Sequence, residues 1–226
     1  MKAVILAAGE GTRMRPLTET TPKPLIDLNG KTIIERIIES LPDEITEVVL
    51  VVEYKKEKIK DFLGNNFLNK KITFVNQGEK RGTFGALYST KDIFQQGERF
   101  IVLNADDIHD KDELTEYLKY PRSFGVQKMV MPNYYNVKSE NGLVVGFERQ
   151  TEEQKQNGAM VATGVYVLDT NIFNHNGIQV FGGEYGLPQT IMDQKSEFPI
   201  FTVETTKWIP INTFDDLEKA KKIYIS

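Results

Sequence analysis

Residues 48–52 read Val-Val-Leu-Val-Val, five apolar positions in a row with four β-branched. A strand of that kind has no solvated face, so it belongs in a parallel sheet covered by helices on both sides. Similar runs stand at residues 3–6, 72–75 and 100–103. Helical patterns separate them. Over residues 31–41, Ile33, Ile34, Ile37, Ile38 and Leu41 make one apolar stripe. Residues 55–63 form a short charged helix whose lysines are a solvated face, and residues 84–94 form a third helix. This βαβαβα order predicts an α/β fold with a parallel sheet, and ligands gather at the carboxyl ends of such strands. The loops at residues 7–13, 76–83 and 104–107 all lie at such ends and are expected to converge.

After Asp110 the pattern changes. Residues 126–131, 143–147 and 161–168 read as strands with little helix between them, which predicts a smaller antiparallel extension. Residues 136–141 and 150–158 read as polar loops. A helix at 187–194, a strand at 200–204 and a helix at 214–223 follow. One domain over residues 1–226 is expected, with one half at about 1–110 and a second at about 111–226. No internal repeat or hexapeptide tail is found.

Composition narrows the partners. With a net charge of −4, the 226-residue chain offers no electrostatic footprint for nucleic acid or a membrane surface. Any phosphate must be held by a few placed cations and backbone amides. There is no cysteine, which removes disulfides, thiolate nucleophiles and cysteine-based zinc sites. No apolar run nears the ~20 residues that span a bilayer, and no secretory leader pattern is read. A cytoplasmic location is the expectation.

The first strand empties into Ala7-Ala8-Gly9-Glu10-Gly11-Thr12, a small-residue loop whose amides can approach an anion closely. Arg13 and Lys23 follow. Met14 breaks the G-x-G-x-x-G dinucleotide pattern, and no Gly-Lys-Ser/Thr follows for an ATPase-type loop. Two glycines after a strand are ordinarily a βα turn. The longer segment is not ordinary: Gly9-Glu10-Gly11-Thr12-Arg13-Met14-Arg15-Pro16-Leu17-Thr18, then Pro22-Lys23-Pro24-Leu25, resembles the signature of sugar-1-phosphate nucleotidylyltransferases. The likeness runs along most of the chain and weakens between about residues 133 and 157.

The resemblance implies a Rossmann-like fold and a set of roles. Leu6, Ala8, Gly9, Gly11, Thr12, Gln77, Gly82 and Thr83 would bind the nucleotide. Arg13 would hold the leaving phosphates, and Lys23 would bridge the α-phosphate and the incoming phosphate. Asp106, in Asn104-Ala105-Asp106-Asp107, would ligate Mg²⁺ together with Asn212, where many relatives have aspartate. Hard cations take one or two protein oxygens and leave places for phosphate and water. Asp107, next along an extended chain, faces the other way; Asn212 and Thr213 are also natural caps for the last helix. Gln77, five residues before Gly82-Thr83, carries a donor and an acceptor suited to uracil or thymine.

On the acceptor side, Glu148 and Arg149 match the step that holds sugar hydroxyls and phosphate, with arginine in place of lysine. Thr163 matches a sugar contact, and Gly182-Gly183-Glu184-Tyr185-Gly186 matches a loop before a helix. The glycine-bearing sugar loop expected upstream is missing from residues 133–141, with Gly142 as a substitute. His109 and His175 are isolated and expected at the surface, and Trp208 in the core. The implied partners are a nucleoside triphosphate, with a pyrimidine favoured, and a sugar 1-phosphate. Three alternatives stay open: cytidylyl transfer to a non-sugar phosphate such as phosphocholine, a metal-dependent glycosyltransferase using Asp106-Asp107, and a silent nucleotide sensor.

Overall fold

A computed structural model describes residues 1–224. One ten-stranded sheet runs through it. Its spatial order is Asn66–Phe67, Lys70–Asn76, Glu47–Val52, Lys2–Ala7, Arg99–Asn104, Ala159–Asp169, Ser123–Met129, Phe201–Glu204, Leu143–Arg149 and Tyr135–Glu140. The four strands from Lys70–Asn76 to Arg99–Asn104 are parallel. Ala159–Asp169 then reverses the direction by pairing antiparallel with both of its neighbours. Phe201–Glu204 lies parallel to Ser123–Met129, and an antiparallel hairpin closes the edge. The antiparallel part is therefore continuous with the parallel part and shares its core.

Strand alternation sorts the core into two layers. Ala3, Ile5 and Ala7 face Ile34, Ile37, Ile59, Leu114 and Leu217 on one side of the sheet. Val4 faces the other side with Phe84, Leu87, Leu187 and Ile191. All five residues of the 48–52 run are fully buried. The helix Ile33–Glu39 starts where Thr32 accepts from the Glu35 amide and the Glu35 carboxylate returns to Thr32, a reciprocal cap that satisfies two otherwise orphaned amides. Register sets Ala7, Val52 and Asn76 level with one another and Leu6 level with Asn104. The loops that follow these strands consequently open on one edge.

Two of the expected loops are regular structure. Residues 136–140 fall within the strand Tyr135–Glu140, and residues 150–158 contain the helix Glu152–Asn157, capped reciprocally by Thr151 and Gln154. The strand is polar because it is the outer edge of the sheet, with only Asn136 and Val137 buried. Asn141 and Gly142 both have positive φ, and an Asn-Gly pair of that kind makes a two-residue hairpin turn. The helix expected over 84–94 ends at Tyr88, followed by a separate turn at Lys91–Ile93. Among the described residues, no helix is long and apolar enough to cross a membrane.

Candidate active site

The loops after the parallel strands open into a cleft of about 1100 Å³. Its walls include Leu6, Ala8, Gly9, Gly11, Thr12, Arg13, Lys23, Gln77, Gly82, Thr83, Asp106 and Asn212. Gly11 has φ 65°, and its carbonyl accepts from the Thr18 hydroxyl at 3.0 Å. A Cβ there would stand 3.0 Å from the Thr18 methyl and 3.3 Å from Lys23 Cβ, so glycine lets the signature fold back on itself. Gly9, by contrast, has nothing within 4 Å of a Cβ; its backbone faces open space.

Lys23 is buried on the turn Lys23–Leu25, and its ammonium pairs with Asp106. Arg13 donates to Asn212 Oδ1 at 2.9 Å. The far end of the chain reaches this place because Ile209–Pro210 pairs antiparallel with Asp107–Ile108 and the Ile211 amide donates to the Asp106 carbonyl at 2.9 Å. Thr213 caps the last helix and Asp216 completes the cap. That leaves the Asn212 side chain to Arg13.

The Asp107 carboxylate is buried and bonded to protein groups. One oxygen accepts from Asn104 Nδ2 and the other from Trp208 Nε1, each at 2.9 Å. Burial, and then the negative charge of Asp106, push its pKa well above the usual carboxylate range. Gly164 makes room for this cluster: a Cβ would lie 2.2 Å from Asn104 Nδ2 and 2.6 Å from Asp107 Oδ2. Trp208 is buried as expected, but it also borders the cleft.

The loop after Lys70–Asn76 is stitched to the other half of the protein. Gln77 Nε2 donates to the carbonyls of Lys80 at 3.1 Å and Gly82 at 3.4 Å. Gly82 has φ 88°, and a Cβ there would sit 2.6 Å from the Tyr185 carbonyl. The Tyr185 amide donates to Arg81, and the Leu187 amide to Thr83 Oγ1 at 2.9 Å. Both Gln77 amide hydrogens are committed to the backbone, so its carboxamide oxygen is the group left for a ligand.

Residues 2–180 match the nucleotidyl transferase family model. The chain belongs to that family. It is 39% identical over 176 residues to the bifunctional protein GlmU of Methanocaldococcus jannaschii, covering 76% of this chain and 41% of that protein. It is 34% identical over 186 residues to the mannose-1-phosphate guanylyltransferase catalytic subunit beta of Dictyostelium discoideum, covering 77% and 51%. The chain thus spans about two-fifths to half the length of these relatives. Its fold matches a UDP-glucose pyrophosphorylase complexed with UDP-glucose (TM-score 0.82, 18% identity, 99% of this chain and 97% of that one). It also matches the UDP-glucose pyrophosphorylase from Acinetobacter baumanii (TM-score 0.81, 17% identity, 99% and 92%).

The residues expected to meet an acceptor are placed differently from their sequence reading. Thr163 does not reach the cleft. It is fully buried, its hydroxyl 3.3 Å from that of Tyr117, while its neighbours Ala162 and Gly164 border the cleft; adjacent strand residues face opposite sides. Glu148 is not on the wall either. Asn136 Nδ2 donates to it at 2.9 Å and Lys138 stands 3.6 Å away. Arg149 is exposed on the edge hairpin, and from this segment Phe147 is the residue that borders the cleft. Gly142 forms the hairpin turn instead of a sugar loop. The Gly182–Gly186 segment fares better, with Glu184, Tyr185 and Gly186 on the wall.

Tyr134, half-buried on the cleft wall, went unread in the sequence. Its signal was the Pro132-Asn133 turn that precedes the tyrosine pair. The histidines also depart from expectation. His109 is buried, burial drives its pKa down to about 3, and its Nε2 has no hydrogen-bond partner. His175 is half-buried with its ring edge-on to Phe198 at 5.8 Å.

Among the described residues no group of three His, Cys, Asp or Glu is arranged for a metal. The family's divalent cation would rely on the Asp106 carboxylate and the Asn212 amide oxygen. Both are hard oxygen donors, brought side by side by the Ile211 pairing, and each already faces a cation. That set fits an ion held mainly by substrate phosphates.

Proposed function

We propose that the cleft binds a nucleoside triphosphate with Mg²⁺ and transfers its nucleotidyl group to a sugar 1-phosphate, giving a nucleotide sugar and pyrophosphate. The observation that carries this reading is the double pairing of Lys23 with Asp106 and Arg13 with Asn212 beneath the open Gly9 loop. Two cations and two oxygen donors at one place match a reaction whose negative charge migrates along a phosphate chain. The names of the relatives, which include a mannose-1-phosphate guanylyltransferase, agree with it.

The chemistry needs no protein nucleophile. An ionised acceptor-phosphate oxygen attacks the α-phosphorus in line; a new P–O bond forms as the bond to the bridging oxygen breaks, and pyrophosphate departs with the electron pair. Positioning and charge neutralisation supply the catalysis. Leu6, Ala8, Gly9, Gly11 and Thr12 form the floor under the nucleotide. Arg13 steadies the leaving phosphates, and Lys23 spans the α-phosphate and the attacking phosphate. Asp106 and Asn212 would hold Mg²⁺, which would supply charge neutralisation on the phosphates. Gln77 Oε1 accepts from N3–H of uracil or thymine, which favours UTP or dTTP, with Gly82 and Thr83 beside the base.

A second reading keeps the chemistry and changes the acceptor to a non-sugar phosphate. Glu148 held at the hairpin, and a wall of Tyr134, Tyr135, Phe147 and Tyr166, favour it. Pyrophosphate release from UTP, dTTP, CTP and GTP against a panel of sugar 1-phosphates and phosphocholine tests both. Release that depends on a sugar 1-phosphate, greatest with UTP or dTTP, is expected. Release with phosphocholine alone selects the second reading, and no release with any acceptor overturns both.

A further inference from the structure

An acceptor for the proposed reaction has a phosphate and a remainder, and the remainder needs partners of its own. Thr163, Glu148 and Arg149 do not supply them, because none of the three borders the cleft. Three consecutive residues do border it on that side: Asn133, Tyr134 and Tyr135. Each carries a side chain that can hydrogen-bond. They belong to a turn between the strands Ser123–Met129 and Tyr135–Glu140, in which the Tyr134 amide donates to the Met131 carbonyl at 2.9 Å. Pro132 and Asn133 at its tip are exposed. A single turn hydrogen bond at the surface offsets little of the entropy of ordering these residues.

Gln150 supplies the missing hold. Tyr135 pairs with Arg149 across the hairpin, so the register brings Gln150 level with Tyr134. From its buried position Gln150 Nε2 donates to the Met131 carbonyl at 2.9 Å and to the Tyr134 carbonyl at 2.7 Å. The two bonds tie together the first and last residues of the turn. Packing closes its other side: Met131 and Tyr134 rest against a cluster of Ala159, Val161 and Trp208. Trp208 in turn donates through Nε1 to Asp107, the neighbour of Asp106. Stability alone does not account for Gln150. Its Oε1 is buried with no hydrogen-bond partner, a destabilising arrangement that an apolar side chain of similar length avoids.

We propose that the turn at residues 131–135 is the acceptor-recognition element of the cleft, gripping the acceptor beyond its phosphate, and that Gln150 is the positioning residue that holds it. This rests on the nucleotidyl-transfer reading of the cleft. Side chains that meet a ligand are effective when supporting residues lock them in place.

The test measures pyrophosphate release from UTP, dTTP, CTP and GTP with glucose 1-phosphate, mannose 1-phosphate and phosphocholine, and takes both KM values for the fastest pair. Gln150→Met is expected to raise the acceptor KM about tenfold with kcat and the triphosphate KM within about twofold, the pattern of lost acceptor binding. Its urea midpoint should change little, because the unpaired Oε1 is lost together with the two donors. Pro132→Gly, which loosens the same turn from its exposed side, should raise the acceptor KM in the same selective way. With Asn133 and Tyr134 both changed to alanine, Gln150→Met should matter less than about twofold. Equal rises in both KM values, full sensitivity to Gln150→Met without those two side chains, or a lowered urea midpoint with an unchanged acceptor KM overturn the proposal. Acrylamide quenching of Trp208, the one tryptophan of the chain, reads the turn without any acceptor and should increase in Gln150→Met. Unchanged quenching overturns the hold by Gln150. Increased quenching in a protein that releases no pyrophosphate with any acceptor supports that hold and overturns the transferase reading instead.

Discussion

The two sides of the cleft are built by different means. The nucleotide side comes from loops that leave adjacent parallel strands at one level, so residues close in sequence stay close in space. The acceptor side comes from strand faces and an edge hairpin, where a one-residue change of facing moves a side chain from the cleft to the core. On the proposed reading, phosphate binding by backbone amides suits the first plan and acceptor recognition by side chains the second, which would make one side readable from a contiguous signature and the other not.

The sharpest way to break this contrast is to remove one of the paired charges. Lys23→Ala takes the ammonium from Asp106 and from the proposed path of the attacking phosphate. Turnover should fall about 10²- to 10³-fold or more, in line with the loss of a placed electrostatic stabiliser, while the denaturation midpoint at saturating triphosphate stays cooperative. A rate within threefold of wild type, measured by pyrophosphate release, removes Lys23 from the chemistry.

Next comes the seam between the two sides. Gly82→Ala forces an L-residue into φ 88° with its Cβ 2.6 Å from the Tyr185 carbonyl. Such strain costs on the order of 1–3 kcal/mol, and relief requires the Gln77 loop to part from the Tyr185 segment. Urea unfolding should show the loss, and KM for the triphosphate should rise more than KM for the acceptor. An equal rise in both would mean that the seam serves the acceptor as well.

The sequence patterns that gave the parallel core were strong because burial on both faces leaves no polar residue inside a strand, as at residues 48–52. Arg13 and Lys23 were legible through a long signature, and Asp106 and Asn212 through shorter matches further along; the structure brings all four together. Tyr135–Glu140 was illegible because an edge strand needs only a single row of buried residues, although Asn141-Gly142 carried a turn signal. Thr163 was misplaced by its face. Likeness identified the strand, yet Ala162 and Gly164 take the cleft and Thr163 takes the core. Tyr134 had only the Pro132-Asn133 turn as a local signal, and its place depends also on Gln150 sixteen residues away. His109 looked isolated in sequence and is buried by the strand pairing that delivers Asn212.

That burial gives a third test, on the nucleotide side alone. His109 stays neutral in the fold until about pH 3, whereas in an unfolded chain it takes a proton near pH 6.5. Between those values the unfolded state binds the extra proton, so stability falls as pH falls. His109→Leu removes this contribution. Its stability-versus-pH curve should be shallower below pH 6.5 by up to about 1.4 kcal/mol per pH unit, read from urea midpoints, and unchanged in slope above pH 7.5. An identical acid limb in both proteins would mean that His109 gains a proton without opening the strand pair behind Asp106.

The smallest expected effect is on the acceptor side, and it bears most directly on the contrast between the two. Glu148 is engaged by Asn136 and Lys138 at the outer hairpin, so Glu148→Ala should change the acceptor KM by less than about threefold, within the ~0.6 kcal/mol typical of a weak surface interaction. Asn136 also accepts from the Met160 amide at 3.1 Å, which ties the hairpin to the strand that borders the cleft. If Glu148→Ala instead raises the acceptor KM tenfold with KM for the triphosphate unchanged, the hairpin must release Glu148 when acceptor binds. The acceptor side would then be assembled by its ligand, while the nucleotide side stands ready in the free protein.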